Sequence, residues 1–347
     1  MMMFNKNLKY YRLKNNMTKK DLANAVGVTP MAITYYEDGK RQPSMDTIKQ
    51  LAKVLNVTVT DFLSNRNEEM QFSHGKFRKG SKLGSANQEY IRESVEEYFG
   101  RFFQVVSFLG GFSVLEPIPK LKVLDWTEDY EVAASKLREY LDIPLHGPIG
   151  NLVEILENRG ILVFFVDVDN HYFSGINGTV NGIPYVAINS NMNPARVRST
   201  IVHEIAHFAF NWPDDLADKD EEQIATAISG AFLFPREDAF RELGYKRNSI
   251  SRDMTLTCKE YGISLFMLVK RAAICGIIND SVERDFYILA SKLGWRKNEP
   301  SWDIELEKPL LFEQLVYRAV TEEEISVQKG AELLKTSYDS VAKACFF

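Results

Sequence analysis

The first 64 residues alternate apolar and polar positions with helical spacing, and capping residues interrupt this pattern at short intervals. Residues 4–15 predict an amphipathic helix, because their apolar positions recur on one helical face. Its candidates for burial include Phe4, Leu8, Tyr11 and Leu13. Thr18 and Asp21 have the spacing of a capping box, and they open a second helix that Gly27 ends.

Three further helices follow in the same region. Thr29 is a preferred N-cap residue and Pro30 occupies the favoured first helical position, so together they open a third helix that Gly39 stops. Ser44 and Thr58 open a fourth helix and a short fifth one. The N-terminal region is therefore predicted to be all-α.

The composition changes after residue 64. A polar stretch rich in Gly, Ser and Lys runs to about residue 86, which is typical of a linker. Helices are predicted beyond it over residues 88–103, 128–142 and 148–158.

A β pattern then appears for the first time. Residues 161–168 form a β-branched and aromatic run of strand length, and residues 174–179 and 185–189 form two more strands around an Asn181-Gly182 turn. Two helices follow, over residues 196–210 and 221–234. This mixture predicts a domain of the α+β class.

Charge and composition narrow the function. Residues 1–64 carry ten Lys and Arg against five Asp and Glu, whereas the whole chain has a net charge of −5. A basic N-terminal region followed by an acidic remainder is expected if only the N-terminal region contacts nucleic-acid phosphates. The three cysteines lack CxxC spacing, no apolar run is long enough to span a membrane, and the first residues do not form a signal peptide. We therefore expect a cytoplasmic protein without a membrane partner.

The second and third helices have the order and separation of a helix-turn-helix, which places its second helix in the major groove of DNA. Ile33 and Tyr36 are expected to pack inward. The residues expected at duplex DNA are Thr29, Pro30, Met31, Thr34 and Tyr35 of the third helix, and Lys19, Lys20, Lys40 and Arg41, which flank it where phosphates would lie.

The segment TKKDLANAVGVTPMAITYYEDGKRQPSMDTIKQLAKVLNV resembles XRE-type (lambda-repressor/Cro-like) domains. The positions that match are Gly27, Glu37, Gly39, Arg41, Pro43, Leu51 and Ala52. Lys19 stands where such domains often have Gln, which bears on base specificity but not on phosphate contact. The resemblance implies DNA binding, and a fold retained for protein contact is the alternative.

The sequence His203-Glu204-Ile205-Ala206-His207 predicts a zinc site. On a helix, two histidines four residues apart project from one face and can reach one Zn²⁺. Glu204 lies one step round the helix and can act as general base toward the zinc-activated water. A catalytic zinc needs a third protein ligand, and Glu221, Glu222, Asp218 and Asp220 at the start of the next helix are all open candidates.

The strand pair, TIVHEIAHFAFN, the acidic helix start and AISGAFLFP resemble the ImmA/IrrE family of zinc metallopeptidases over roughly residues 130–290. The family pattern has a glutamate thirteen residues before a proline, so counting back from Pro235 implies Glu222 as the third ligand. Ile224-Ala225-Thr226 and Phe232-Leu-Phe depart from the family pattern. The candidates for an oxyanion stabiliser are His171, Tyr172 and Arg198.

We therefore predict a multidomain chain with an all-α helix-turn-helix domain and an α+β zincin-like metallopeptidase domain. The predicted regions are 1–64 (helix-turn-helix), 65–127 (linker and connecting helix), 128–295 (zinc peptidase) and 296–347 (helical C-terminal region). Within the last region, Ile325–Leu334 and Thr336–Val341 resemble a second helix-turn-helix, which we interpret as packing or regulatory.

The leading functional hypothesis is a regulatory zinc endopeptidase that binds DNA. The family resemblance implies a protein substrate, a repressor or regulator encoded nearby. Two alternatives belong to other classes: a transcriptional regulator whose zinc fold is structural or senses a ligand, and the toxin of a toxin–antitoxin pair. An intact Glu204 favours hydrolysis, because a structural zinc has no use for a general base. The sequence does not indicate the oligomeric state.

Overall fold

A computed structural model describes residues 3–64, 70–75, 77, 82–115, 123–295, 298–300 and 303–346. The chain divides into two compact units. The helical unit comprises Met1–Phe72, Lys76–Leu115 and Leu311–Phe347, and the sheet unit comprises Ser73–Gly75 and Glu116–Leu310. Much of the predicted linker (65–69, 76, 78–81 and 116–122) lies outside the described residues.

The described helices and strands are, in chain order, α1 (Met3–Lys14), α2 (Lys19–Val26), α3 (Pro30–Glu37), α4 (Met45–Leu55), α5 (Val59–Leu63), β1 (Phe72–His74), α6 (Ser85–Phe108), a 3₁₀ turn (Phe112–Leu115), α7 (Tyr130–Tyr140), α8 (Leu152–Asn158), β2 (Leu162–Val166), β3 (Gly175–Val180), β4 (Ile183–Asn189), α9 (Pro194–Ala209), α10 (Asp218–Leu233), α11 (Arg236–Leu243), α12 (Met254–Tyr261), α13 (Leu265–Ile274), α14 (Asp280–Lys292), α15 (Leu311–Thr321), α16 (Val327–Leu334) and α17 (Tyr338–Cys345).

The N-terminal helices begin where the sequence predicted, because each N-cap side chain accepts a backbone N–H of the first turn. Thr18 and Asp21 form the predicted capping box, and Thr29 and Ser44 cap α3 and α4. Gly27 ends α2 with φ 73°, a left-handed conformation that glycine adopts without steric cost.

A buried ion pair joins α1 to the end of α3. Arg12 and Glu37 are both almost fully buried, and the guanidinium donates two hydrogen bonds to the carboxylate, one of them from Nη2 at 3.0 Å. Arg12 Nη1 also donates to the carbonyl of Met17 at 2.9 Å. Both charges are thus matched by hydrogen bonds inside the helix-turn-helix, as a buried pair requires.

The C-terminal helices belong to the same unit. Lys335 follows α16 and places its Nζ 2.8 Å from Glu97 Oε1 of α6 and 4.7 Å from the centroid of the Tyr10 ring of α1. Burial lowers the pKa of Lys335 to about 8. The two units therefore group 76–115 and 311–347 with the N-terminal residues, a division that differs from the predicted domain bounds, which stay predictions.

The geometry of α16 and α17 agrees with the resemblance to a second helix-turn-helix. Each helix has eight residues, as α2 and α3 do. Lys335 adopts the left-handed conformation of Gly27, and Ser337 caps α17 as Thr29 caps α3. Ala331 and Val341 are buried at the places of Ala23 and Ile33.

The sheet unit is built on a four-stranded mixed sheet of order β1-β3-β4-β2. Strand β4 pairs in parallel with β2 and antiparallel with β3, and all seven of its residues are buried. Asn181 and Gly182 both have positive φ in the tight turn between β3 and β4, which confirms the predicted turn. The predicted fold class, a helical N-terminal region followed by an α+β region, is confirmed.

Helices α9 and α10 pack beside this sheet in one hydrophobic core. Their buried residues include Ile201, Ile205, Ala225 and Ile228. Within the described part of the chain, none of the helices combines the length and the apolar character that a membrane crossing needs.

The buried ion pair generates a prediction about stability. Glu37→Gln removes one charge and leaves Arg12 buried without its counter-ion, so we expect a loss of about 3–5 kcal/mol in the helical unit. Asp38→Asn changes an exposed acid that pairs with Lys40 at 2.9 Å, and it should leave the stability nearly unchanged because solvent screens this pair. Hydrogen exchange of the α1 and α3 amides in rising urea measures both losses.

Tryptophan fluorescence supplies the internal control, because none of the four tryptophans of the sequence falls in the residue ranges of the helical unit. Its urea midpoint should not move in either variant. Equal losses of α1 and α3 protection in the two variants would contradict the assignment of stability to the buried pair.

Candidate metal centre and nucleic-acid interface

The two histidines of the motif lie on the buried side of α9. Asn193 caps this helix through a hydrogen bond from the amide of Ala195, and Pro194 is its first residue. The i, i+4 spacing brings His203 Nε2 and His207 Nε2 to 3.2 Å from each other.

A carboxylate from α10 completes a triangle with these nitrogens. Glu222 Oε2 lies 3.4 Å from His203 Nε2, and Glu222 Oε1 lies 3.7 Å from His207 Nε2. The three residues each offer a ligand atom within 4.8 Å of the others. Ligands at 2.0–2.1 Å in tetrahedral geometry are separated by about 3.3 Å, so this donor set fits one Zn²⁺.

Each histidine uses its other ring nitrogen in a hydrogen bond. His207 Nδ1 lies 2.7 Å from Glu221 Oε1, and His203 Nδ1 lies 3.3 Å from the Thr226 hydroxyl, which donates to the carbonyl of Glu222 at 2.8 Å. These partners place a proton on each Nδ1 and leave the Nε2 lone pairs directed at a shared point. Such contacts fix the tautomer and orientation of metal-binding histidines.

The four acids that were candidates for the third metal ligand thus occupy different positions in the structure. Glu222 reaches the two Nε2 atoms, whereas Glu221 reaches only the far side of His207. Asp218 and Asp220 are exposed in the first turn of α10, where negative charge is favourable by itself.

The contact of Thr226 with His203 was not predicted from the sequence. Its available signal was its position four residues after Glu222, which places it one turn further along the same helical face.

Glu204 is held from the sheet side. The side-chain amide of Asn177 in β3 donates to Glu204 Oε2 at 2.9 Å. A Cβ atom added at Gly175 would lie 3.2 Å from Glu204 Cγ and 2.9 Å from Thr200 Cγ2, so a larger residue would push β3 away from α9. Asn177 was not among the predicted site residues, because no spacing rule links it to the motif.

The three candidates for an oxyanion stabiliser lie in unlike surroundings. Arg198 is buried, donates to the carbonyls of Gly150 and Ile149 and pairs with Glu307, so it joins segments of the core. His171 and Tyr172 lie in the exposed loop between β2 and β3, with their ring centroids 4.0 Å apart.

The outer face of α3 presents the expected residues. Met31 is 58% exposed and Tyr35 is 40% exposed, and Pro30 is also exposed, whereas Ile33 is fully buried. Thr34 is half-buried and donates to the carbonyl of Pro30 at 3.2 Å.

The flanking basic residues differ in their partners. Lys20 and Arg41 are exposed. Lys19 lies 3.5 Å from Glu37, and Lys40 lies 2.9 Å from Asp38, so both cations already have a neighbouring acid. Thr29 lies at the N-terminus of α3 and accepts the amide of Ala32.

Comparison with known proteins assigns families to both regions. Residues 8–62 match the family model described as "Helix-turn-helix", and residues 156–273 match the model described as "IrrE N-terminal-like domain". No solved structure matches the chain.

Several curated proteins resemble the chain over 60 to 70 residues. The uncharacterized HTH-type transcriptional regulator YqaE of Bacillus subtilis (strain 168) is 33% identical over 70 residues, which are 20% of this chain and 60% of that protein. An uncharacterized HTH-type transcriptional regulator of Methanocaldococcus jannaschii is 39% identical over 62 residues, 18% of this chain and 94% of that protein. The cryptic phage CTXphi transcriptional repressor RstR of Vibrio cholerae is 27% identical over 63 residues, 18% of this chain and 57% of that protein.

The geometry of α10 generates a prediction about metal binding. Glu222→Ala should abolish stoichiometric zinc binding, because it removes one of the three ligand atoms. Glu221→Ala should keep about one zinc per chain but weaken its affinity about 10–100-fold, because His207 loses its orienting partner. Titration with zinc and elemental analysis of the purified variants measure both effects.

Asp220→Ala is the matched control, since it removes an exposed acid of the same helical turn. It should leave zinc affinity unchanged. Loss of zinc from Glu221→Ala with retention by Glu222→Ala would reverse the two assignments.

Proposed function

Because the chain belongs to the XRE-type helix-turn-helix family and also carries an IrrE N-terminal-like domain, we propose that it is a DNA-binding transcriptional regulator with zinc endopeptidase activity. The observation that supports proteolysis best concerns Glu204, which follows His203 directly on α9. Asn177 orients its carboxylate, and Glu204 is not one of the three residues that offer metal ligand atoms. A structural zinc site is closed by four protein ligands, whereas a catalytic site has three and an open position.

In this mechanism, His203, His207 and Glu222 would hold the zinc ion. When bound, zinc lowers the pKa of a coordinated water to about 7 and polarises a carbonyl group. Glu204 accepts the proton of the attacking water at its carboxylate and delivers it to the leaving nitrogen of the peptide bond. Asn177 orients this carboxylate by donating to Oε2, so the proton-accepting group is positioned before the substrate arrives.

Glu221 supports the same chemistry without touching the substrate. Its carboxylate accepts the Nδ1 proton of His207 and thereby fixes the orientation of the ring and of its ligating nitrogen. Thr226 performs the corresponding role for His203 as a neutral hydrogen-bond partner. The two histidines are therefore held in the tautomer that ligation needs.

We infer a protein substrate that acts in transcriptional control, such as a repressor or regulator encoded nearby. The resemblance of residues 156–273 to the IrrE N-terminal-like domain supports this class. The second candidate is a transcriptional regulator that does not cleave peptides, and the relatives of the helix-turn-helix region support it, since their names state regulation alone.

One variant separates these two candidates. Glu204→Gln should keep zinc and fold but reduce cleavage of a protein substrate at least about 100-fold, because an amide does not accept the proton of the attacking water. Cleavage of an unstructured casein by the zinc-loaded chain, followed on a gel, is the measurement. Matched zinc content of the two proteins is the control, and equal cleavage would remove Glu204 from the mechanism.

The helix-turn-helix surface is tested by salt dependence. The full chain should bind duplex DNA from its own locus, with an affinity that falls as salt rises. Changing both Lys40 and Arg41 to Ala should weaken binding to all sequences and reduce the log–log salt slope by about 2. Fluorescence anisotropy at several salt concentrations measures the slope.

The matched control changes Lys49 and Lys53 of α4 to Ala, which removes the same charge from two exposed positions outside the α3 face. Its slope should stay near that of the unaltered chain. Equal weakening by both pairs would mean that net charge, and not the surface flanking α3, governs binding.

A further inference from the structure

The outer edge of β3 is covered by a short strand from a distant part of the sequence. Residues Ser73–Gly75 belong to the sheet unit, although they precede its other residues by about forty positions. Ser73 and His74 form the end of β1, which adds to the sheet beside β3, and Gly75 follows this strand. The amide of Gly75 donates to the carbonyl of Asn177 at 2.7 Å.

A single residue, Asn177, connects this strand to the proposed general base, Glu204. Asn177 accepts from Gly75 through its backbone oxygen and donates to Glu204 Oε2 through its side chain. The strand therefore contacts the same residue that orients Glu204. A polypeptide that occupied this edge would run directly beside the proposed active site.

The contact is close and has a specific shape. A Cβ atom added at Gly75 would lie 2.6 Å from the carbonyl oxygen of Asn177 and 3.0 Å from its Oδ1. A Cβ atom added at Gly178 would lie 2.4 Å from the carbonyl oxygen of Ser73. The fully buried Tyr185 places its hydroxyl 2.6 Å from His74 Nδ1. This edge therefore fits a strand that has glycine at position 75 and a hydrogen-bonding side chain at position 74.

We propose that an extended polypeptide substrate binds by strand addition at the outer edge of β3, and that Ser73–Gly75 occupies this edge in the resting chain and must leave first. Main-chain hydrogen bonds supply affinity in such strand addition, and side-chain pockets supply specificity. The substrate segment that fits is unstructured, with a glycine after a residue that hydrogen-bonds to Tyr185. This inference rests on the proposed proteolysis for its consequence, but strand binding is testable without cleavage.

Two glycines of the same connecting segment give a matched pair of variants. Gly75→Ala forces a methyl group against the backbone of Asn177 and should release the strand, whereas an added Cβ at Gly84 meets nothing within 4 Å. Both are placed in the full chain carrying Glu204→Gln, which prevents cleavage of the probe. The probe is a fluorescein-labelled, amidated peptide that copies residues 70–75, Met-Gln-Phe-Ser-His-Gly.

The probe should bind the Gly75→Ala chain at least about 10-fold more tightly than the Gly84→Ala chain, because an internal strand competes at a millimolar-range effective concentration. Hydrogen exchange of segment 72–75 should be slow in the Gly84→Ala chain and fast in the Gly75→Ala chain. Equal probe binding by the two chains, with the strand shown to be released, would overturn strand addition at this edge.

Cleavage of unstructured casein by the same pair with Glu204 restored tests the blocking. The Gly75→Ala chain should cleave at least about 10-fold faster than the Gly84→Ala chain at equal zinc content. Equal, measurable cleavage with a released strand would overturn the blocking while proteolysis stands. Probe binding as expected with no cleavage by either chain would overturn the proposed proteolysis and support the strand site alone.

Discussion

The close approach of α9 and α10 is the constraint on which the candidate metal centre depends. Small side chains line the contact: Ala206 of α9 and Ala225 and Ser229 of α10 are buried, and Ser229 Oγ donates to the carbonyl of Ser199 at 2.8 Å. Residues three and four apart share a helical face, so Glu222 continues the row of Ala225 and Ser229 toward the metal site. Bulkier residues in this row would separate the helices, and the carboxylate would no longer reach both histidines.

The close packing of α9 and α10 also explains why Glu221 and Glu222 have different partners. Adjacent residues of a helix project about 100° apart, so only one of them is directed at the ligand point while its neighbour is directed past it. Glu221 contacts His207 on the side of the ring away from the ligand point, with Oε1 2.7 Å from Nδ1. Two carboxylates that converge on two imidazoles make a local excess of negative charge, which a divalent cation would offset.

Local chemistry in the sequence was enough to predict much of this structure. Thr29 with Pro30, and Asn181 with Gly182, specify a helix start and a turn within a few residues, so no distant contact is needed to place them. The choice between Glu221 and Glu222 depends on the rotation of α10 about its axis, which only packing determines. Strand β1 escaped prediction because it has three residues in a polar stretch and pairs through its backbone, which leaves no periodic signal.

Asn177 links the covered edge of the sheet to Glu204, the proposed general base. Its side chain is directed at Glu204 only while the backbone of β3 keeps its position, and the backbone of β3 is fixed on one side by β4 and on the other by whatever strand covers its edge. Ser73–Gly75 meets this requirement in the resting chain. A substrate strand that displaces it would meet the same requirement, so Glu204 would stay oriented throughout the exchange. On this proposal, β3 would be held on one side alone only while its edge is uncovered, and neither the resting strand nor a bound substrate would change the orientation of Glu204.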